Sequence, residues 1–224
     1  MRILIAVPTF ENIYPDVFKA IYDLDETYQS ESGDAVLPNE YIFEYIRGYD
    51  CATARNRIIM TAQQNKADYI LMVDNDVIIP PETIELFLDE PVDVCLGAYA
   101  HRDTDNIYRG RTCLCRLYQP NGQKYFNYPL ESEYEAKELI LLEEAGEKKI
   151  QIHGGGMGCA FIKTSVFNKI NYPWYDWVNY SDDNRGMLSE DLYFCEQCRS
   201  KDIPIYTDVR VRAKHILRHA QECV

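Results

Sequence analysis

The stretch from Asp68 to Pro80 limits what this chain can fold into more than any other. Five apolar residues, Tyr69 to Val73, run unbroken and then give way to Asp74, Asn75 and Asp76. Such a run is too short for a lone helix and fits a central parallel strand buried on both faces. In an extended chain alternate side chains share a face, so Asp74 and Asp76 are expected to point the same way. Two carboxylates at the carboxyl end of a buried strand repel each other and lose hydration. A hard divalent cation removes both problems, and carboxylate oxygens suit Mg²⁺ or Mn²⁺. The plainer alternative is that the two acids begin a solvated loop.

The rest of the chain supplies partners for that strand. Arg2 to Val7 reads as a first buried strand, left by Pro8 and Thr9. Pro15 can open a helix whose apolar stripe is Val17, Ala20, Ile21 and Leu24. Tyr41 to Ile46 reads as a second strand, and Asp50 can cap a helix from Cys51 to about Lys66. Pro80 and Pro81 open a helix striped by Ile84, Phe87 and Leu88, and Val92 to Tyr99 follows as a strand. Strands alternating with helices predict an α/β fold on a mostly parallel sheet with helices on both faces.

After residue 100 the rhythm changes. Cys113 to Tyr118 and Lys124 to Tyr128 flank Pro120, Asn121 and Gly122, a hairpin signal. Glu131 to Lys149 is charged, with an apolar patch at Leu139 to Leu142, and reads as a peripheral helix or mixed loop. Gly154, Gly155, Gly156 and Gly158 lead into a strand and a short helix over Thr164 to Ile170. Ser189 can cap a helix to about Ser200, and Ile203 to Val211 is a last strand.

At 224 residues the chain is one large domain or two small ones, and one is expected over 1–224. A formal charge of -13 argues against nucleic acid or an anionic membrane as the main partner. The first residues carry one positive charge and a short apolar run cut by Pro8, unlike a secretory h-region. No stretch approaches the length of a membrane span. The eight cysteines are then expected as reduced thiols in a cytoplasmic protein.

Several elements stand in an order that resembles the GT-A glycosyltransferases, the inverting family-2 type in particular. They are Ile5 to Phe10, Ala54-Arg-Asn56, Val73-Asp-Asn-Asp76 as a D-x-D motif, Gly155 to Ile162, Pro173-Trp-Tyr175, Ser189-Glu-Asp191 and His215. The resemblance implies a GT-A (Rossmann-like) fold, with about 1–100 holding the nucleotide sugar and about 101–224 the acceptor and catalytic half. Thr104 to Lys149 departs from the pattern. It implies transfer of a sugar from a nucleotide donor, expected to be UDP-linked, to a hydroxyl of a carbohydrate, protein or lipid-linked acceptor. A retaining transferase and a non-catalytic nucleotide-sugar-binding module are the alternatives. A sugar nucleotidyltransferase is disfavoured, because no Gly-Arg-rich triphosphate loop follows the first strand.

Residue by residue, the resemblance places the donor beside Pro8, Thr9, Asp50, Arg55, Asn56, Asp74, Asn75, Gly155 and Gly156. Asp50 can equally be only a helix cap, and Arg55 a surface arginine rather than a fork for phosphate or uracil. Asp74, Asp76 and His215 are the implied ligands of Mn²⁺ or Mg²⁺, imidazole being more natural for the former. His219, four residues on, leaves a helical zinc pair open. Trp174, Tyr175 and Trp177 are implied at the acceptor, where flat rings suit sugars; otherwise they pack as a lid. Asp191 is the implied general base and Glu190 its supporting neighbour. Cys195 and Cys198, lacking a second pair, read as two buried thiols.

Overall fold

The computed structural model of the protein describes residues 1–10, 12–24, 40–100, 111–115, 133–179 and 187–216. Its first half comprises β1 (Arg2–Thr9), α1 (Pro15–Asp23), β2 (Glu40–Arg47), α2 (Cys51–Gln64), β3 (Tyr69–Val73), β4 (Val77–Ile78), α3 (Thr83–Leu88) and β5 (Val94–Ala98). Next come β6 (Arg111–Cys115), β7 (Glu133–Glu135), α4 (Ala136–Glu144), β8 (Lys149–Ile152), β9 (Gly154–Gly155) and β10 (Cys159–Lys163). A 3-10 helix (Thr164–Asn168), β11 (Val178–Asn179), β12 (Met187–Leu188), α5 (Glu190–Arg199), β13 (Ile205–Arg212) and β14 (Lys214–His215) complete the order.

Seven strands form the central sheet in the order β2-β1-β3-β10-β5-β13-β8. β1, β2, β3, β5 and β13 run one way, and β10 and β8 run back. The sheet is therefore mostly parallel, as the alternating pattern predicts, with two reversed strands that the pattern did not distinguish. β10 is reversed because the chain reaches it from the far end of β3: the Asp74 N–H donates to Gly158 O at 3.0 Å, and Cys159 lies opposite Val73.

Continuous apolar runs become β1, β3, β5 and β10, buried but for Arg2, Tyr69 and Lys163 at their ends, as expected of strands covered on both sides. The stripe of α1 buries Val17, Ile21 and Leu24. Asp50 caps α2, accepting from the Thr53 N–H at 3.1 Å, and Ser189 caps α5 by accepting from Leu192 N–H at 3.4 Å. Both caps stand where the sequence put them. The charged stretch before Lys149 contains α4 between β7 and β8. The hairpin expected around Gly122 and the pair partner His219 lie outside the described residues, while β6 pairs with β7 and β9. Among the described residues, no helix is long and apolar enough to cross a membrane.

Candidate active site

Parallel strands bring their carboxyl ends to one edge of a sheet, and ligands of open α/β sheets bind beside such ends. β1 delivers Thr9 to that edge, β3 delivers Asp74, and β5 delivers Tyr99. β14 follows β13 and pairs with β4, setting His215 opposite Val77 and so beside Asp76. α5 adds Glu190 and Asp191 in its first turn, where the helix dipole favours carboxylates.

The two acids of the D-x-D motif meet different side chains. The strand ends at Val73, and a turn closed by Val77 N–H to Asp74 O, 3.1 Å, replaces the extended geometry that the same-face expectation needs. Each acid has a separate neighbour. Asp74 accepts from both terminal nitrogens of Arg55, at 3.1 and 3.4 Å. Asp76 Oδ1 stands 3.5 Å from His215 Nε2. Asn75 between them donates to Asn12 O, in the loop after β1, at 2.8 Å.

His215 carries a further clue. Its Nδ1 lies 2.8 Å from the Ala100 carbonyl, which can only accept, so the proton belongs on Nδ1. The Nε2 lone pair of a neutral ring then faces a carboxylate. At that spacing the two repel unless a proton or a cation stands between them. A backbone carbonyl fixing the tautomer is also how metal-binding histidines are oriented. Asp76 and His215 thus fit a divalent cation. Among the described residues no three His, Cys, Asp or Glu side chains converge as a ready ligand cluster, and Asp74 is engaged by Arg55.

Arg55 departs from its expected role. Its residue is 1% exposed, and its guanidinium is enclosed by acids: Asp74, Asp191 at 3.3 Å and Glu190 at 3.8 Å, with the Tyr175 ring 5.9 Å away. It is neither a surface arginine nor a fork open to phosphate. Asn56 is likewise spent inside. Its Oδ1 accepts from the Trp174 and Tyr175 N–H groups at 3.1 and 3.2 Å, and its Nδ2 donates to Tyr175 O at 2.8 Å.

The aromatic loop that Asn56 clamps is core, which overturns the acceptor role expected of two of its rings. Trp174 donates its indole N–H to Phe167 O at 3.0 Å and meets Phe167 edge-on; Tyr175 stacks on Phe194. Of the three rings expected at the acceptor, Trp177, 44% exposed, keeps a face that a sugar could meet. Trp174→Ala is expected to cost about 3–5 kcal/mol in chemical denaturation, the usual loss for a large buried aromatic. A stable variant with impaired transfer would return the ring to the site.

The glycines also serve the protein's own packing. A Cβ on Gly156 would sit 2.1 Å from the Tyr99 hydroxyl, and one on Gly155 2.8 Å from Cys113 O. The backbone approaches its neighbours closely, as its composition implies, and those neighbours are Tyr99 and β6. Tyr99 is the site residue that sequence reasoning missed. Its hydroxyl accepts from the Gly158 N–H at 3.0 Å, and its ring meets His215 edge-on. Its place at the carboxyl end of a parallel strand was the available signal. Pro8 and Thr9 lie buried at the end of β1, the Thr9 hydroxyl donating to Asn12 O at 3.1 Å. Cys195 and Cys198 are buried thiols, as expected.

Burial, with Asp191 next to it, raises the Glu190 carboxyl from its ordinary 4.5 to about 7, against the pull of Arg55. Burial raises Asp191 as well, Arg55 again opposing. A carboxyl raised on folding holds a proton that the unfolded chain releases. Its stabilising share is full below 4.5 and is lost as the pH climbs through about 7. In metal-free buffer the melting temperature should therefore fall more steeply across that window for the unmodified chain than for Glu190→Gln. Parallel slopes would contradict the burial of this acid. Glu190 itself is 5% exposed, which leaves its carboxyl little surface.

No protein-family model and no curated protein matches the chain. Solved structures do. A197 from STIV matches with a TM-score of 0.57 at 19% identity, covering 97% of this chain and 86% of that one. The inositol-1-phosphate CTP transferase from T. maritima matches at 0.45 and 9%, covering 98% and 91%. S. aureus TarS 1-349, in complex with UDP-GlcNAc, matches at 0.47 and 11%, covering 100% of this chain and 62% of that one. The likeness to A197 is one of fold.

Proposed function

We propose that this chain is a metal-dependent glycosyltransferase. It moves a sugar from a nucleotide donor, UDP-linked in our reading, to an acceptor hydroxyl with inversion. The observation that carries the reading is the gathering of Asp74, Asp76–His215 and Glu190–Asp191 at one sheet edge from segments more than a hundred residues apart in the chain.

Asp191 is the general base. Its side chain keeps 20% exposure beside the buried Glu190, and burial makes its carboxylate more basic than a surface aspartate. It takes the acceptor proton as the acceptor oxygen bonds the anomeric carbon and the bond to the diphosphate breaks. Asp76 and His215 would hold Mn²⁺ or Mg²⁺, with Asp74 adjoining. The cation supplies charge neutralisation for the leaving diphosphate. In this reading Pro8 and Thr9 border the donor, and Asp50, which caps α2, adjoins it. Trp177 is the acceptor platform; it directly precedes β11, whose partner β12 leads into Ser189 and α5.

A panel of nucleotide sugars, with and without Mn²⁺, tests the reading. Free UDP with an inverted product supports it. Pyrophosphate release would mark a nucleotidyltransferase, a retained configuration the other stereochemical class, and binding without product a non-catalytic module.

A further inference from the structure

Among the described residues, Arg55 is the largest fully buried side chain and the cation that pairs with Asp74, Glu190 and Asp191. Its contacts are unequal. The two terminal nitrogens form a bidentate fork with Asp74, at the end of β3. The Nε edge faces Asp191 at 3.3 Å and Glu190 at 3.8 Å, within ion-pair range, yet among the described residues neither Arg55 Nε nor Asp191 Oδ1 has a hydrogen-bond partner. A guanidinium is planar and rigid, so fixing its fork on Asp74 also fixes where its Nε edge points. The Tyr175 ring beside it stacks on Phe194 of α5, which removes the room to swing away. One buried cation thus ties the end of β3 to the first turn of α5.

On the glycosyltransferase reading above, we infer that Arg55 is a positioning residue for Asp191. It does not touch the donor. It holds the carboxylate of the base in register with Asp74, attracting Asp191 by charge without occupying it in a linear hydrogen bond. Misplacing a catalytic group by about 1 Å can cost 10²-fold in rate. The loss should therefore appear in kcat and not in donor affinity.

Arg55→Lys tests this, because it keeps the charge and loses the fork. The expected result is a folded protein that binds UDP within about threefold of the unmodified chain, keeps its KM for the nucleotide sugar, and loses about 10–100-fold in kcat. A folded variant with kcat within threefold would reduce Arg55 to a structural ion pair. A raised KM with unchanged kcat would make it a donor contact instead. Should the lysine variant fail to fold, Arg55→Gln is placed in a Glu190→Gln background and compared with Glu190→Gln alone. The double variant should bind UDP like that background and have the lower kcat, and equal kcat in the two overturns the inference. If the unmodified chain neither binds nor turns over UDP-sugars, it is the glycosyltransferase reading that fails.

Discussion

Asp191→Asn should bind UDP normally and turn over about 10²–10⁴-fold more slowly than the unmodified chain, the usual span for removal of a positioned base. The substitution keeps the shape of the side chain and the cap made by Ser189, whose hydroxyl oxygen accepts from Leu192 N–H. The competing account is that Glu190 and Asp191 merely complement the helix dipole, worth about 0.3–1 kcal/mol each. That account does not explain their environment. A dipole-serving acid belongs in water, yet Glu190 is 5% exposed and both carboxyls crowd one buried guanidinium. Dipole complementation alone predicts a slightly altered melting temperature and near-normal turnover. Wild-type turnover, or a product that keeps the donor's anomeric configuration, would remove Asp191 from the role.

Asp76→Ala should abolish metal-dependent UDP binding while leaving the fold in place. Asp76 lies in the turn after β3, and its carboxylate stands beside His215. Its loss removes the negative charge that makes a cation favourable beside the His215 Nε2. Isothermal calorimetry with UDP in Mn²⁺ and in chelator decides the matter. The unmodified chain should bind far more tightly with metal, and Asp76→Ala equally weakly in both. Equal affinity of the unmodified chain under the two conditions would sink the metal requirement. Asp74→Ala offers a contrast, because it also removes the fork partner of Arg55 and should cost stability in addition.

Local signals in the sequence determined where the elements lie. The apolar run Tyr69 to Val73 is β3 to the residue, and Asp50 and Ser189 cap the helices they precede. These features depend on neighbours within a few positions, and the chain states them outright. Alternating strands and helices also force the carboxyl ends of parallel strands to one edge, whereas Asp191 and His215 were expected there only from the resemblance of their motifs. Tertiary structure decided what each side chain faces. The turn at Asp74 to Val77 sent the two acids to different partners, and packing drew Arg55, Trp174 and Tyr175 inward. It likewise set Tyr99 where Gly156 and Gly158 leave room. Asn56 and Tyr175 meet across 119 positions, and Asp76 and His215 across a comparable gap. An arginine, an indole or a glycine has the same local preferences whether it meets a ligand or another segment of its own chain. Only the completed packing, in which buried polar groups must find partners, separates the two.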